Sequence, residues 1–268
     1  MNIHSFDEAT ELELESGIFR GKTSAAYANM VGPFGGVTAA TLLRAVIEHP
    51  ERIGEPIALT INYAAPIDDG EFFIKAKPAR TNRSTQHWVL ELFQGKETII
   101  TGTAVTAIRR ETWSDTELQF PSVPSPEAIP RLSTEGFPKW MNSYDIRVVK
   151  GVPNITLADV IDEDSATIQW IEDDPKRPLD FLSLTSMSDA FFPRVYIRLN
   201  KLLPASTVSL TIYFHVTGET LTSYGSQPVL GHARGLRYNN GFFDQAAEMW
   251  SKDGVLLATS TQMVYYKD

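Results

Sequence analysis

The chain has 268 residues, no cysteine and a formal net charge of −9. The lack of cysteine excludes disulfides, thiolate metal sites and a cysteine nucleophile. The acidic balance argues against a nucleic-acid-binding protein, which would carry a basic face. The N-terminus has neither the basic start nor the apolar run of a signal peptide, and no stretch of about 18 apolar residues occurs, so we expect a cytoplasmic protein without a membrane span.

The first half reads as a strand, a helix and four further strands. The strand is expected at residues 18–28, and the helix at 37–47 is apolar almost all round, which predicts burial on every side. Gly35 and Gly36 open this helix and allow another backbone or a ligand to approach its free amides. The further strands are expected at residues 57–66, 71–79, 85–94 and 97–108, joined by short glycine-containing turns.

The second half repeats this order after a proline-rich stretch, which is read as a linker crossing a surface. Strands are expected at 141–149 and 155–171, then a helix around Asp189, then elements at 207–217, 221–226, 230–238, 243–250 and 255–265. The repeat predicts an internal duplication with antiparallel sheets that each cover a helix. The expected domains are residues 1–113, a linker at 114–137, and residues 138–268.

Asp189 is the most unusual residue of the predicted second helix, because an ionised carboxylate on an apolar helix must find hydrogen-bonding partners or change its pKa. Pro193 lacks an N–H group and is expected to kink the helix and to turn Asp189 toward a cleft. The alternative for Asp189 is a helix N-cap, since the Ser-x-Ser-Asp pattern favours a helix start. Thr207 and Gln262 are placed as partners on later strands, although each fits an ordinary strand position when taken alone.

Four groups of residues together resemble the type II acyl-CoA thioesterases. They are Phe34-Gly35-Gly36 at the first helix, Ser188-Asp189 at the second, Tyr213-Phe214-His215 at a strand end, and the closing run from Asp253 to Gln262, DGVLLATSTQ. The resemblance covers nearly the whole chain. It implies an α+β double hotdog fold, in which two antiparallel sheets each wrap around a central helix and pair as a pseudo-dimer.

The resemblance also implies a function, namely hydrolysis of an acyl-CoA thioester by a water molecule that Asp189, Thr207 and Gln262 position. Asp189 would be the general base, and the amide of Gly36, beside Gly35 at the helix start, is the candidate oxyanion donor. No cofactor or metal is implied. Acyl-CoA is the expected partner, together with a second copy of the chain in a homodimer or larger homo-oligomer.

Coenzyme A is anionic, so an acidic chain needs local cations to hold it. The candidates flank strand ends and are Arg80, Arg83, Arg234 and Arg237, although ordinary solvated charge is the favoured explanation for each one taken alone. Two other functions stay open at this stage. One is a non-catalytic hotdog protein that binds acyl-CoA or lipid, and the other is a hotdog enoyl-CoA hydratase or dehydratase, which would need a histidine beside its acid.

Overall fold

The chain folds as two successive units of the same pattern, seen in a computed structural model that describes residues 3–154, 156 and 160–267. The helices of the first unit are α1 Ser5–Ala9 and α2 Gly35–Ile47. Its strands are β1 Glu13–Glu15, β2 Ile18–Lys22, β3 Glu55–Tyr63, β4 Glu71–Thr81, β5 Thr85–Gln94 and β6 Glu97–Ala107.

The second unit repeats the helix and the strands that follow it. Its helices are α3 Phe181–Met187, α4 Arg194–Leu199 and α5 Gly218–Ser223. Its strands are β7 Tyr144–Lys150, β8 Thr167–Asp173, β9 Ala205–Phe214, β10 Val229–Arg234, β11 Tyr238–Asn239, β12 Phe242–Trp250 and β13 Leu256–Tyr266.

Both units contribute to one continuous antiparallel sheet. Within the described residues its order is β1-β2-β4-β5-β6-β3-β9-β13-β12-β10-β8-β7, with β11 beside β12. The spatial order β2-β4-β5-β6-β3 of the first unit therefore returns as β8-β10-β12-β13-β9 in the second. The predicted double hotdog is confirmed, and its two sheets are joined edge to edge through β3 and β9, where Thr60 lies opposite Thr211.

The two helices α2 and α3 pack against each other inside this sheet. Helix α2 is buried along nearly its whole length, as its apolar sequence predicts, and it begins at Gly35 rather than at residue 37. Helix α3 is buried throughout and is capped by Asp180, whose carboxylate accepts a hydrogen bond from the amide of Ser183. None of the helices in the described part of the chain has the length and apolar character needed to cross a bilayer.

Two expectations about Asp189 are wrong. Helix α3 ends at Met187, so Asp189 lies just beyond its end rather than on it, and the N-cap of this helix is Asp180. Pro193 does not kink a continuing helix either. It precedes the separate helix α4, and the carbonyl of Asp189 accepts a hydrogen bond of 2.9 Å from the amide of Phe191.

Some element boundaries also differ from those expected. Residues 218–223 form helix α5, which occupies the first half of the segment expected at 221–226. The strand expected at 141–149 begins at Tyr144, after a short 3-10 helix. The strand expected at 155–171 begins only at Thr167, and residues 155 and 157–159 of that range lie outside the described residues.

The proline-rich segment runs across the second unit and contacts it through aromatic side chains. The indole of Trp170 donates a hydrogen bond of 3.0 Å to the carbonyl of Pro124, and the ring of Phe120 lies 5.8 Å from that of Trp250. These contacts fit the expected role of a linker that crosses a surface. The domain boundaries at 113 and 138 stay predictions.

Candidate active site

The candidate catalytic carboxylate lies in the loop of residues 188–193, between α3 and α4. The break in helical structure turns the side chain of Asp189 toward the start of α2. If Gly35 carried a Cβ atom, that atom would lie 2.8 Å from Oδ2 of Asp189. The carboxylate therefore sits in a space that only a glycine at position 35 leaves open.

The three polar residues proposed from the sequence are joined by hydrogen bonds. The side-chain amide Nε2 of Gln262 donates to Oδ1 of Asp189 over 2.8 Å. The hydroxyl of Thr207 donates to Oε1 of Gln262 over 3.3 Å. This chain fixes which end of the Gln262 amide faces the carboxylate, because the amide oxygen is held by the hydroxyl and the amide nitrogen by Asp189.

A β-bulge accounts for the inward position of Thr207. In the register of β9 with β13, Ser209 pairs with Met263 and Thr207 pairs with Val264, which leaves Val208 as the extra residue. Simple alternation from the buried Leu210 would direct residue 207 outward. The extra residue reverses that direction for Thr207 and leaves Val208 39% exposed, in agreement with the general use of bulges to redirect side chains near active sites.

The start of α2 completes the surroundings of the carboxylate. The backbone amide of Gly36 hydrogen-bonds to the carboxylate of Asp189, and this contact favours its ionised form. The hydroxyl of Tyr63 donates to the carbonyl of Gly35 over 2.8 Å and so fixes this turn. Gly35 and Gly36 are thus brought to Asp189 as expected, whereas the oxyanion role of the Gly36 amide stays a prediction.

Burial raises the pKa of Asp189 to about 7, although the hydrogen bonds from Gln262 and Gly36 act in the opposite direction. Desolvation penalises the charged carboxylate, and two donors recover only part of that cost. Tyr63 stays a neutral hydrogen-bond donor, because its burial and the nearby charge of Asp189 raise its pKa well above the ordinary value. A carboxylate with a pKa near neutrality is suited to taking a proton from water.

Side chains that the sequence analysis did not single out hold the loop of residues 188–193 in place. Gln169 on β8 donates to the carbonyl of Ala190 over 2.5 Å, and the guanidinium of Arg194 donates to the carbonyl of Phe192. Both side chains are almost fully buried. A glutamine inside the apolar run TIQWI was the available signal for the first of them, since a buried amide needs partners.

The structure does not bring Arg80 and Arg83 to the carboxylate. Arg80 pairs through β5 and β6 with the beginning of β3, near Ala58, and Arg83 lies in the turn beyond it. Tyr63 is at the opposite end of β3, and five strand residues span roughly 16 Å. Arg80 also donates to the side chain of Asn82 over 3.1 Å.

The described contacts of the other two candidate arginines are with residues other than Asp189. Arg234 lies opposite Ala246 on the outer face of the sheet, where it donates to Glu248 over 2.9 Å. Arg237 lies after β10, and its backbone amide donates to the carboxylate of Asp244 over 2.8 Å. A coenzyme-binding role for any of the four arginines stays a prediction. Within the described residues, no cluster of three or more His, Cys, Asp or Glu side chains could hold a metal ion.

The duplicated architecture defines a double hotdog protein, and solved structures share it along the whole chain. A conserved hotdog-fold protein of unknown function from Alicyclobacillus acidocaldarius is 47% identical, with a TM-score of 0.95 over 100% of this chain and 99% of that one. The acyl-CoA thioesterase II TesB2 from Mycobacterium marinum is 18% identical, with a TM-score of 0.76 over 98% of each chain. A tesB protein from Mycobacterium avium subspecies paratuberculosis is 15% identical, with a TM-score of 0.79 over 98% of each chain.

Family models identify the chain more narrowly. The model for the acyl-CoA thioesterase C-terminal domain matches residues 119–266, and the model for the N-terminal domain matches residues 24–107. The chain therefore belongs to the acyl-CoA thioesterase family. A comparison with curated protein sequences gave no match. The family supports thioester hydrolysis in general terms.

Proposed function

We propose that the protein hydrolyses acyl-CoA thioesters to a free acid and coenzyme A, with Asp189, Thr207 and Gln262 positioning the attacking water. Asp189 takes a proton from this water as its oxygen attacks the thioester carbonyl. The C–S bond then breaks, and the coenzyme thiolate receives the proton that Asp189 took from the water and leaves as a thiol. Thr207 and Gln262 orient Asp189 and the water, since neither side chain is basic enough to take the proton itself.

The observation that carries this proposal is the hydrogen-bonded chain from Thr207 through Gln262 to Asp189. It holds the carboxylate in one orientation beside the glycines of α2. Burial places the pKa of Asp189 at about 7, so a large share of the protein carries an ionised base at neutral pH. General-base catalysis of this kind contributes about 10²–10⁴-fold to a rate.

The decisive test measures thiol release from short, medium, long and aromatic acyl-CoA substrates with the wild type and Asp189→Asn. We expect the variant to lose about 10²–10⁴-fold in kcat while it keeps its fold. Asp173→Asn is the matched control, because Asp173 is also a buried carboxylate whose pKa burial raises, to about 6. A wild type inert on every substrate, or an Asp189→Asn variant as active as the wild type, would exclude the proposal.

The pH dependence gives a second test of the same role. The base must be ionised to act, so kcat/KM should rise with pH through an apparent pKa of about 7 and then level off. The residual activity of Asp189→Asn should lack this rise. A profile in the variant identical to that of the wild type would assign the titration to another group.

The alternative functions have less support from the site. A hydratase of this fold would use a histidine beside its acid, whereas the described contacts of Asp189 involve Gln262 and the glycines of α2. His49 lies at the far end of α2 and packs 4.9 Å from the ring of Trp88. Loss of enoyl-CoA absorbance without thiol release would favour the hydratase, and binding without turnover would favour a carrier.

The proposal includes a homodimer, which the outer face of the central strands supports. Thr60 and Thr211 meet there at the junction of the two units, with 3.0 Å between their hydroxyl oxygens, and Tyr213 beside them is 50% exposed. A polar but uncharged face of this kind is suited to packing against a second copy. Light scattering of the wild type and Tyr213→Glu should give a dimer and a monomer, respectively.

A further inference from the structure

A cleft of about 340 Å³ opens at the surface between the loop that precedes α2 and the end of the proline-rich segment. One wall consists of residues 28–30 and the other of residues 136–139. The backbones of the two walls are joined at the base, where the amide of Trp140 donates to the carbonyl of Ala28 over 3.2 Å. The cleft is therefore a built feature of the fold, framed by one segment from each side of the duplication.

Aromatic contacts link the surroundings of the cleft to the candidate catalytic loop and to the start of α2. The ring of Phe137 packs 5.7 Å from the ring of Phe192, which belongs to the loop that carries Asp189. On the other side, the ring of Phe34 stacks on Trp140 with 4.0 Å between the ring centroids. Phe34 immediately precedes Gly35, which touches the carboxylate. These two aromatic contacts connect the cleft to the segments that carry Gly35 and Asp189.

The lining of the cleft combines three kinds of group. Met30 and Phe137 are apolar and exposed, at 70% and 36%. Asn29 supplies a side-chain amide, and Lys139 supplies a positive charge in a chain whose net charge is −9. A ligand that matches these groups is partly apolar, carries amides and ends in an anion.

We infer that this cleft binds the pantetheine arm of coenzyme A, with Lys139 next to the phosphates. The arm has two amide groups linked by short aliphatic segments, which match Asn29 and the flanking Met30 and Phe137. The cleft is open to solvent along much of its length, so an acyl chain there would stay largely in water and gain little. This inference rests on the proposed function, because it assigns the coenzyme half of the same substrate.

The assignment is tested with two substrates that share an acyl group and differ in the leaving thiol. One is the acyl-CoA, and the other is the acyl thioester of pantetheine, which lacks the phosphates and the nucleotide. Lys139→Glu should raise KM for the acyl-CoA by about 3- to 10-fold, because an exposed attractive pair is weak and charge reversal makes it repulsive. KM for the pantetheine thioester and kcat for both substrates should stay unchanged.

The matched control is Lys77→Glu, which makes the same change of charge at an exposed position on the outer face of β4. It should leave KM unchanged for both substrates. Phe137→Ala should raise KM for both, since both contain the pantetheine arm. A Lys139→Glu variant that affects the two substrates equally, or has no effect on either, would overturn the assignment. A Met30→Trp variant whose effect grows with acyl chain length would show instead that the cleft holds the acyl group.

Calorimetry with coenzyme A itself separates this inference from the proposed function. The Asp189→Asn protein should bind coenzyme A. Adding Lys139→Glu should raise the Kd for coenzyme A by about 3- to 10-fold, the same factor as expected for KM. Unchanged binding would reject the cleft even if hydrolysis is confirmed. Weakened binding would support the cleft even if Asp189 proves dispensable for turnover.

Discussion

The two units of the chain differ at their equivalent central helices, α2 in the first unit and α3 in the second. Helix α2 continues without interruption from Gly35 to Ile47, and beyond its first turn its backbone groups are used within the helix. In the second unit, α3 stops at Met187, and a non-helical loop precedes α4. The first unit thus preserves a buried structural helix, whereas the second gives up helical hydrogen bonds and places a carboxylate in the gap.

The strands differ in a corresponding way, and their registers allow a direct comparison. Both β3 and β9 carry a bulge at the same distance from their shared junction, with Ile57 and Val208 as the extra residues. Thr207 in the second unit therefore corresponds to Pro56 in the first. Gln262 on β13 lies opposite Leu210 on β9, and Ala104 on β6 lies opposite Leu59 on β3. Ala104 is therefore the counterpart of Gln262.

The first unit therefore has the geometry of the candidate site without its chemistry. Pro56 has no hydroxyl, and the buried Ala104 has no amide. The observed register identifies Ala104, and not its neighbour Val105, as the counterpart of Gln262. The site therefore depends on a few polar side chains and one helix break, added to a scaffold that exists twice.

The largest effect should come from filling the gap beside the carboxylate. Gly35→Ala would place a Cβ atom 2.8 Å from Oδ2 of Asp189 and displace it. A displacement of about 1 Å at a reacting group costs roughly 10²-fold in rate. We expect such a loss in kcat with little change in the melting temperature.

Gly218→Ala is the matched control for that variant. Its Cβ atom would also lie 2.8 Å from a carboxylate oxygen, that of Glu55, which is not part of the candidate site. Its kcat should equal that of the wild type. Equal losses of kcat in the two variants would mean that crowding a carboxylate lowers activity anywhere in this fold. Such a result would contradict a specific role for Asp189.

A smaller effect is expected from removing the hydroxyl that holds Gln262. Thr207→Val keeps the shape of the side chain but leaves the amide oxygen of Gln262 without its donor. One hydrogen bond of this kind contributes about 0.5–1.5 kcal/mol, so kcat should fall by up to roughly 10-fold. Thr211→Val, which removes a hydroxyl from the outer face of the same strand, should have no effect on kcat.

The melting temperature should show a pH dependence that originates at Asp189 in the second unit. The folded-state pKa of Asp189 is about 7, above the pKa of about 3.9 expected for an aspartate in an unfolded chain. The folded protein therefore binds more protons between these values, and its stability falls as pH rises through this window. Asp189→Asn removes the effect, so its melting temperature relative to the wild type should be higher at pH 8 than at pH 5.

Asp173→Asn offers a comparison for that measurement. Its folded-state pKa of about 6 is raised by burial as well. The stability contributed by this residue should therefore also fall as pH rises, but the pH window of this fall should end about one pH unit lower than for Asp189. A difference between wild type and Asp189→Asn that stays constant from pH 5 to pH 8 would contradict a raised pKa at this position.

The smallest effect should follow from supplying the first unit with the missing polar groups. Pro56→Thr with Ala104→Gln, made in the Asp189→Asn protein, should restore no hydrolysis, because α2 still lacks a break and a carboxylate. The measurement is thiol release above the level of Asp189→Asn alone. Restored activity would show that the hydroxyl and the amide suffice, and that the broken helix is not needed.

The sequence predicted the duplicated fold well because its signals are local. Strand β5 has the predicted bounds of residues 85–94, where polar and apolar side chains alternate and a glycine turn follows. The partnership of Asp189, Thr207 and Gln262 was proposed through resemblance to a family, and the structure joins these residues by hydrogen bonds. Neither prediction required knowledge of how distant segments pack.

The remaining features depend on tertiary contacts and left weaker signals. The bulge at Val208 inserts one residue into a regular alternation, so the inward direction of Thr207 is set by pairing with β13 rather than by its own strand. The support from Gln169 and Tyr63 reaches across the fold to backbone carbonyls, whose positions the sequence does not indicate. The end of α3 at Met187 was missed because the apolar run continues through residues 190–192.

The pairing of β3 with β9 makes each unit dependent on the other during synthesis. A strand that lies at the junction has unpaired amides and carbonyls along one edge until its partner arrives, and such edges promote aggregation. When the first unit leaves the ribosome, one edge of β3 is still unpaired. Its partner β9 is synthesised more than a hundred residues later. A chain truncated before β9 would therefore be a substrate for chaperones and proteases rather than a soluble half-protein.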